Sequence, residues 1–241
     1  MLDGGPGDRW LIDTGHALER PMLLAGLRAT GLFPRDLDGV LLTHRHSDHA
    51  GNAEYLRRVH GLRIFAHRAD AAVLEGMTPP PPLVAQSGAR LERMFAAIEN
   101  RTRTRVPVDR ALDDGDAVGS LEVFHAPGHT EGSVLYRHAG TSSLLSGDAL
   151  LAAVPPLTLL QRMTLPHADY SVDYAQALAS LRRLHAASPR YENLLAGHGR
   201  PILGGAQRAA ERLLEAHATG SLTSQTLPAE TGPSHRGART P

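Results

Sequence analysis

The ten residues THRHSDHAGN (43–52) place four potential metal ligands within six positions. They follow an apolar run that predicts a buried strand. In an extended segment, residues two positions apart project to the same side, so His44 and His46 can bind one ion. Asp48 and His49 lie where the chain turns into a helix and can face a second ion. The alternative is a polar loop that is rich in histidine by chance.

Three later positions add ligands of the same kind, each directly after a pattern typical of a strand. His129 lies in HAPGHTEGS, Asp148 in LLSGDAL and His198 in LLAGHGRP. An isolated histidine after a strand is more often structural, but here the pattern recurs in a chain that already has a histidine cluster. The chain has no cysteine, which excludes thiolate ligands and a cysteine nucleophile.

Short apolar runs alternate with helical patterns, which predicts an α/β protein. The predicted strands cover 9–13, 39–43, 62–66, 121–125, 133–137, 142–146 and 193–196, and the predicted helices cover 19–30, 50–60, 172–187 and 206–217. Residues 1–218 are predicted to form one domain. Two excursions, 77–105 and 153–170, interrupt the pattern and are typical of lids. Residues 219–241 have almost no apolar content and are predicted to be a disordered tail.

The segment HRHSDH resembles the HxHxDH signature of the metallo-β-lactamase superfamily. His129, Asp148 and His198 follow in the order of that family, and the similarity runs from about Leu11 to about Pro201. The resemblance implies an αββα four-layer sandwich, with two face-to-face sheets, helices outside them and the metal ions at one edge.

The resemblance also implies the role of each ligand. Three histidines, His44, His46 and His129, would bind the first ion, and Asp148 would bridge the two ions. The second ion would be bound by Asp48, His49 and His198. Asp13 would lie just outside these ligands, and its alternative role is simply to end a strand.

Nitrogen and oxygen ligands without thiolate suit zinc, and also manganese or iron. The sequence therefore predicts two divalent ions, with Zn²⁺ first and Mn²⁺ or Fe²⁺ as alternatives. Two ions about 3.5–4 Å apart can share a hydroxide, whose parent water has its pKa lowered to about 7. Asp48 and Asp148 are the predicted catalytic residues. The excess positive charge of such a centre favours an oxyanion transition state.

The fold of this superfamily does not determine the substrate. The absence of cysteine and the presence of Asp148 separate the chain from true β-lactamases. Glyoxalase II shares the ligands and a similar PGHT turn but has a sizeable helical C-terminal domain, and here only 43 residues follow His198. Lactonases place a tyrosine soon after the bridging aspartate, where this chain has Ala149, with Tyr170 and Tyr174 as distant substitutes.

The predicted function is hydrolysis of a small ester, thioester or lactone. The alternatives are a persulfide-dioxygenase-like oxidoreductase with one iron, or a phosphodiesterase on the same scaffold. A metal-stabilised binding protein is a third class, and a complete ligand set argues against it. The predicted pocket residues are apolar members of the two excursions, whose other role is packing. They are Leu91, Met94, Phe95, Ile98, Leu157, Leu159, Leu160 and Met163.

Composition narrows the partners and the compartment. The formal net charge is zero and all 25 basic residues are arginine, so no global field attracts nucleic acid or anionic membranes. No apolar run approaches the ~18 residues of a membrane span, and a cytoplasmic location is expected. Only about ten residues precede the LIDTG turn, where the family usually has two strands. Either the start Met is misplaced or the chain has lost an edge hairpin, and an edge lost in this way is one that the second subunit of a homodimer would cover.

Overall fold

Two β-sheets pack face to face in the computed structural model, and helices cover both outer faces. The structure describes residues 2–5, 7–85, 87, 89–153, 161–187 and 190–219. The predicted tail therefore lies, apart from Thr219, outside the described residues.

The first sheet has five strands in sequential order, with β1 antiparallel to β2 and the others parallel. They are β1 (Leu2–Asp3), β2 (Arg9–Ile12), β3 (Gly39–Leu41), β4 (Ile64–His67) and β5 (Arg110–Leu112). Four strands of the second sheet follow: β6 (Ala117–Val118), β7 (Leu121–His125), β8 (Val134–His138) and β9 (Ser143–Gly147). A separate antiparallel pair comes next, β10 (Leu151–Ala153) and β11 (Gln161–Thr164). Strand β12 (Asn193–Ala196) completes the second sheet in the order β12-β9-β8-β7-β6.

Seven α-helices accompany the strands of the described chain. They are α1 (Arg20–Ala29), α2 (Ser47–Ala50), α3 (Ala53–His60), α4 (Arg68–Leu74), α5 (Arg90–Arg101), α6 (Tyr174–Ala186) and α7 (Ala206–Ala218). Short 3-10 turns cover Ala17–Glu19, Pro34–Asp36 and Ala168–Tyr170.

Three separate hydrophobic cores show that the structure has four layers. Side chains alternate along each strand, so Leu41 of β3 lies between the sheets while Val40 faces the helices. The core between the sheets includes Trp10 and Tyr136, and the Tyr136 hydroxyl donates a 2.7 Å hydrogen bond to a carbonyl of the opposite sheet. The two outer cores join α1, α3 and α4 to the first sheet and α6 and α7 to the second. This is the αββα sandwich that the sequence predicts.

The structure adds α4, α5, β5, β6 and β10 to the predicted elements, and it differs from them in three further respects. The predicted helix 50–60 is divided, since α2 ends at Ala50 and α3 begins at Ala53. Between them, the side-chain amide of Asn52 donates to the carbonyls of Thr14 and His16. The predicted excursion 153–170 contains strand β11, although 154–160 lie outside the described residues. The first sheet does not end at β2, since the two residues of β1 pair with it.

Candidate metal centre

The candidate ligands follow the carboxyl ends of strands that the sandwich brings to one edge. His44 follows β3, His129 follows β7, Asp148 follows β9 and His198 follows β12. Glycine allows the closest approach at this edge: a Cβ on Gly197 would lie 2.4 Å from a carboxylate oxygen of Asp148 and 2.5 Å from a carbon of the His49 ring. Because parallel strands end on the same side of a sheet, residues far apart in sequence meet here.

Three buried histidines form the first cluster. The side-chain nitrogens of His44, His46 and His129 all lie within 4.8 Å of one another. His44 Nε2 and His129 Nε2 are 3.2 Å apart. The sequence predicted this set, and the structure brings its three members together.

The second cluster combines one carboxylate with two histidines. One ligand atom from each of Asp48, His49 and His198 lies within the same 4.8 Å limit. His198 Nε2 is 3.3 Å from Asp48 Oδ2, and His49 Nε2 is 3.8 Å from that oxygen. This cluster is more open to solvent, because the Asp48 side chain is about half exposed.

Asp148 lies between the two clusters. Its Oδ1 is 3.2 Å from His49 Nε2, and its Oδ2 is 3.5 Å from His198 Nε2 and 3.7 Å from His129 Nε2. It therefore contacts members of both clusters.

Buried atoms without hydrogen-bond partners show that this arrangement fits metal ions. His46 Nε2, His49 Nε2 and Asp148 Oδ1 are buried and have no hydrogen-bond partner. A buried polar group left in this way costs about 1–3 kcal/mol. The His49–Asp148 pair is close enough for a hydrogen bond but is not aligned for one, as expected of atoms that converge on a common centre. A divalent ion such as zinc, manganese or iron would satisfy them.

The other ring nitrogens explain why Nε2 is free for an ion. The Thr43 hydroxyl donates to Asp13, so it accepts from His44 Nδ1 at 3.1 Å. The Ser171 hydroxyl donates to the His167 carbonyl, so it accepts from His129 Nδ1 at 3.3 Å. With the proton on Nδ1, Nε2 carries the lone pair that a metal ion needs.

Asp13 holds His49 in the same way. Its Oδ2 lies 2.7 Å from His49 Nδ1 and accepts from the Thr43 hydroxyl, while its Oδ1 accepts from the Thr43 N–H. Asp13 has φ of +58°, in the left-handed region that aspartate tolerates better than most residues. The structure thus places Asp13 just outside the ligands, where it orients His49.

The two clusters differ in electrostatics. Burial lowers the pKa values of His44 and His46 well below the usual range, and that of His129 to about 4, so these rings are neutral. The Asp148 carboxylate raises the pKa of His198 to about 10. Burial alone would lower the pKa of His49, but the charges of Asp148, Asp48 and Asp13 raise it well above its usual value. The first cluster can bind an ion directly, whereas the second must release protons to do so.

Sequence analysis missed Asp70 on α4, which connects the two loops that carry the histidine cluster. This fully buried carboxylate accepts from the Arg45 N–H at 2.8 Å and the Thr130 hydroxyl at 2.8 Å. It also accepts from the Gly132 N–H at 3.0 Å, and Arg45 Nε is 3.7 Å away. Burial raises its pKa to about 6. No local motif indicates Asp70, because its partners are 25 to 62 residues away.

The predicted pocket residues differ in how far the structure buries them. Leu91, Met94, Phe95 and Ile98 are exposed on α5. Met163 does not line a pocket, because it is buried in the core beneath α6 and α7. The remaining predicted pocket residues, Leu157, Leu159 and Leu160, lie outside the described residues.

Tyr170 and His167 lie in the second excursion, whereas Tyr174 lies on α6. Burial raises the pKa of Tyr170 to about 12, so its hydroxyl stays protonated, and that hydroxyl is buried without a hydrogen-bond partner. Tyr174 packs against the core of the second sheet. His167 begins a 3-10 turn and accepts a hydrogen bond from the Asp169 N–H.

A four-layer sandwich with histidine and aspartate clusters at one edge defines a metallo-hydrolase. Residues 1–198 match the family model described as metallo-beta-lactamase superfamily, and the chain belongs to that superfamily. The resemblance inferred from HRHSDH is confirmed, together with the fold.

Similar proteins include hydrolases and a metal-bound structure. The chain is 26% identical to the probable metallo-hydrolase YybB of Bacillus subtilis, over 81% of this chain and 78% of YybB. It is 32% identical to a hydroxyacylglutathione hydrolase of Pseudomonas paraeruginosa, over 48% of this chain but only 34% of that enzyme. The solved structure of TTHA1623 in a di-iron-bound form is 26% identical, with a TM-score of 0.57 and coverage of 83% and 86% of the two chains.

None of the helices within the described ranges is long and apolar enough to span a membrane.

From the two clusters we predict how many metal ions each chain binds and how their binding depends on pH. Reconstitution with zinc should give two ions per chain, and His198→Ala should remove only the ion of the second cluster. Because the pKa of His198 is about 10 and that of His49 is also raised, both rings are protonated without metal, so the affinity for the second ion should rise with pH between 6 and 8, whereas the affinity for the first ion should change little over that range. Calorimetric titration in two buffers of different ionisation enthalpy would measure the released protons.

The matched control for this titration is His217→Ala, a histidine on α7 outside both clusters. One ion at saturation in the wild-type chain, or equal loss of both ions in His198→Ala, would contradict the two-cluster interpretation.

Proposed function

We propose that this chain is a dinuclear metal-dependent hydrolase of small carbonyl esters, thioesters or lactones. The observation that carries the proposal is the position of Asp148 between two ligand clusters. Similarity to a probable metallo-hydrolase and to a hydroxyacylglutathione hydrolase supports the reaction class. The di-iron form of TTHA1623 supports a centre that holds two ions.

The residues of this chain bind and orient the centre. Bound divalent ions supply Lewis acidity and lower the pKa of a coordinated water to about 7. The rings of His44, His46 and His129 are neutral and add no charge to the centre. Among the seven candidate ligands, the anionic ones are Asp48 and Asp148. The centre keeps an excess of positive charge, which stabilises the oxyanion that forms when a carbonyl is attacked.

The surroundings of the centre favour a substrate with an apolar part. Leu91, Phe95 and Ile98 expose apolar surface on α5, whose Glu99 contacts the metal-binding loop. The formal net charge of zero does not favour a polynucleotide, since phosphate backbones are bound by clustered cations. An acyl or aromatic group joined through an ester, thioester or lactone bond fits this environment.

An activity screen tests the proposal directly. Zinc-, manganese- and iron-loaded samples would be assayed on aryl esters, acyl thioesters, lactones and a phosphodiester, with metal content measured on each sample. We expect hydrolysis of at least one carbonyl substrate, loss of activity on chelation and recovery on adding metal. Asp148→Asn and Asp48→Asn are the matched inactive variants.

Two results would replace the proposal. Turnover of the phosphodiester alone would assign a phosphodiesterase. Oxygen consumption with a persulfide by a sample containing one iron per chain would assign the oxidoreductase alternative.

A further inference from the structure

Helix α5 makes a polar contact with the metal-binding loop that the sequence did not predict. The carboxylate of Glu99 accepts from the Ser47 N–H, with both oxygens 3.1 Å from that nitrogen. The Ser47 hydroxyl also donates to Glu99. Thr102, which follows α5, donates to the same hydroxyl at 3.4 Å.

The contact matters because Ser47 is next in sequence to candidate ligands of both clusters. Ser47 lies between His46 of the first cluster and Asp48 of the second, and it is the first residue of α2. His46, at the N-cap of α2, provides no side-chain cap. Glu99 therefore takes the role of the missing cap and fixes the turn that separates the two clusters.

Apart from such polar contacts, α5 is weakly attached to the protein. Ala96 is its only buried residue among those described, and Leu91, Met94, Phe95 and Ile98 are exposed. A second polar contact joins the Asn100 side chain to the backbone of Leu83, on the segment before the helix. Helices with few buried apolar contacts open readily, so the Glu99 contact has a large share in holding α5 over the loop.

We propose that Glu99 is a positioning residue that couples helix α5 to the metal centre through Ser47. It holds Asp48 and His49 where they can bind the second ion, and it holds α5 against the loop that carries these ligands. The inference rests on the proposed metal centre but not on the substrate. Because coupling between two sites is reciprocal, metal binding must stabilise α5 as much as α5 stabilises the bound metal.

Metal titration of Glu99→Gln is the first test. Glutamine keeps the size of the side chain but removes its charge and one of its two acceptor oxygens. Residues that support metal ligands typically contribute about 10–100-fold to metal affinity. We expect the affinity for the second ion to fall at least about tenfold, with the first ion changed less than about threefold. Glu211→Gln on α7, remote from the centre, is the matched control.

Hydrogen exchange of the α5 amides is the second test, and a merely structural role would not affect it in this way. In the wild-type chain, zinc should slow exchange in peptides covering Arg90–Arg101. In Glu99→Gln that zinc-dependent protection should disappear, although circular dichroism shows a folded protein. Ser47→Ala keeps the backbone N–H contact and should retain part of the protection.

The proposal is overturned by either of two results. One is zinc-dependent protection of α5 that is equal in the wild-type chain and Glu99→Gln, or absent from both. The other is an unchanged affinity for the second ion in Glu99→Gln. Neither measurement uses a substrate, so failure of the proposed hydrolysis would leave this test intact.

Discussion

Asp148→Asn is expected to lower the rate of hydrolysis by about 10²-fold or more while leaving the fold intact. Asparagine has nearly the same shape but lacks the negative charge that attracts both ions. Asp148 lies within 4 Å of ligand nitrogens from both clusters. Its loss should therefore separate the two ions as well as weaken their binding.

The measurement is kcat/KM on the best substrate of the screen, together with metal content and a thermal melt. Asp173→Asn is the matched control, because Asp173 caps α6 through a bond to the Gln176 N–H and asparagine caps helices equally well. A near-normal rate in Asp148→Asn with two bound ions would show that Asp148 does not bridge them.

The ligands could be predicted from the sequence because each belongs to a local pattern. Side chains point alternately to the two faces of a strand. When both faces are buried, the apolar residues form an unbroken run, and the candidate ligand comes after the end of that run. Val40 and Leu41 alternate between two cores for this reason, and His44 follows them. The sequence alone does not distinguish an Asp13 that orients His49 from one that only ends a strand, because the contact joins residues 36 positions apart.

The supporting residues could not be predicted because their partners are distant and their own surroundings are unremarkable in sequence. Asp70 lies in a short helix, and Glu99 lies in a helix with an amphipathic pattern in which a glutamate would normally face solvent. The sequence left Met163 between lining a pocket and packing for a related reason: a strand of four residues gives too little periodicity to show which side faces the core, where the structure places it.

The second large effect is expected from Asp70→Ala. This substitution leaves two buried donors without an acceptor, the N–H groups of Arg45 and Gly132, and leaves the Thr130 hydroxyl with Ser133 as its remaining partner. It also leaves the Arg45 guanidinium, which is only 6% exposed, without one of its two carboxylate partners. Removing one partner of a buried pair typically costs about 3–5 kcal/mol. We expect a loss of that size in the free energy of unfolding, measured by urea denaturation.

The same change should weaken binding of the first ion, because Arg45 lies between His44 and His46. Thr130 and Gly132 follow His129 in the same loop. Asp113→Ala, which breaks an exposed ion pair with Arg68, is the matched control and should leave the free energy of unfolding nearly unchanged. Metal titration of both variants separates the two roles of Asp70. Equal stability of Asp70→Ala and Asp113→Ala, with unchanged affinity for the first ion, would mean that the histidine cluster is organised without Asp70.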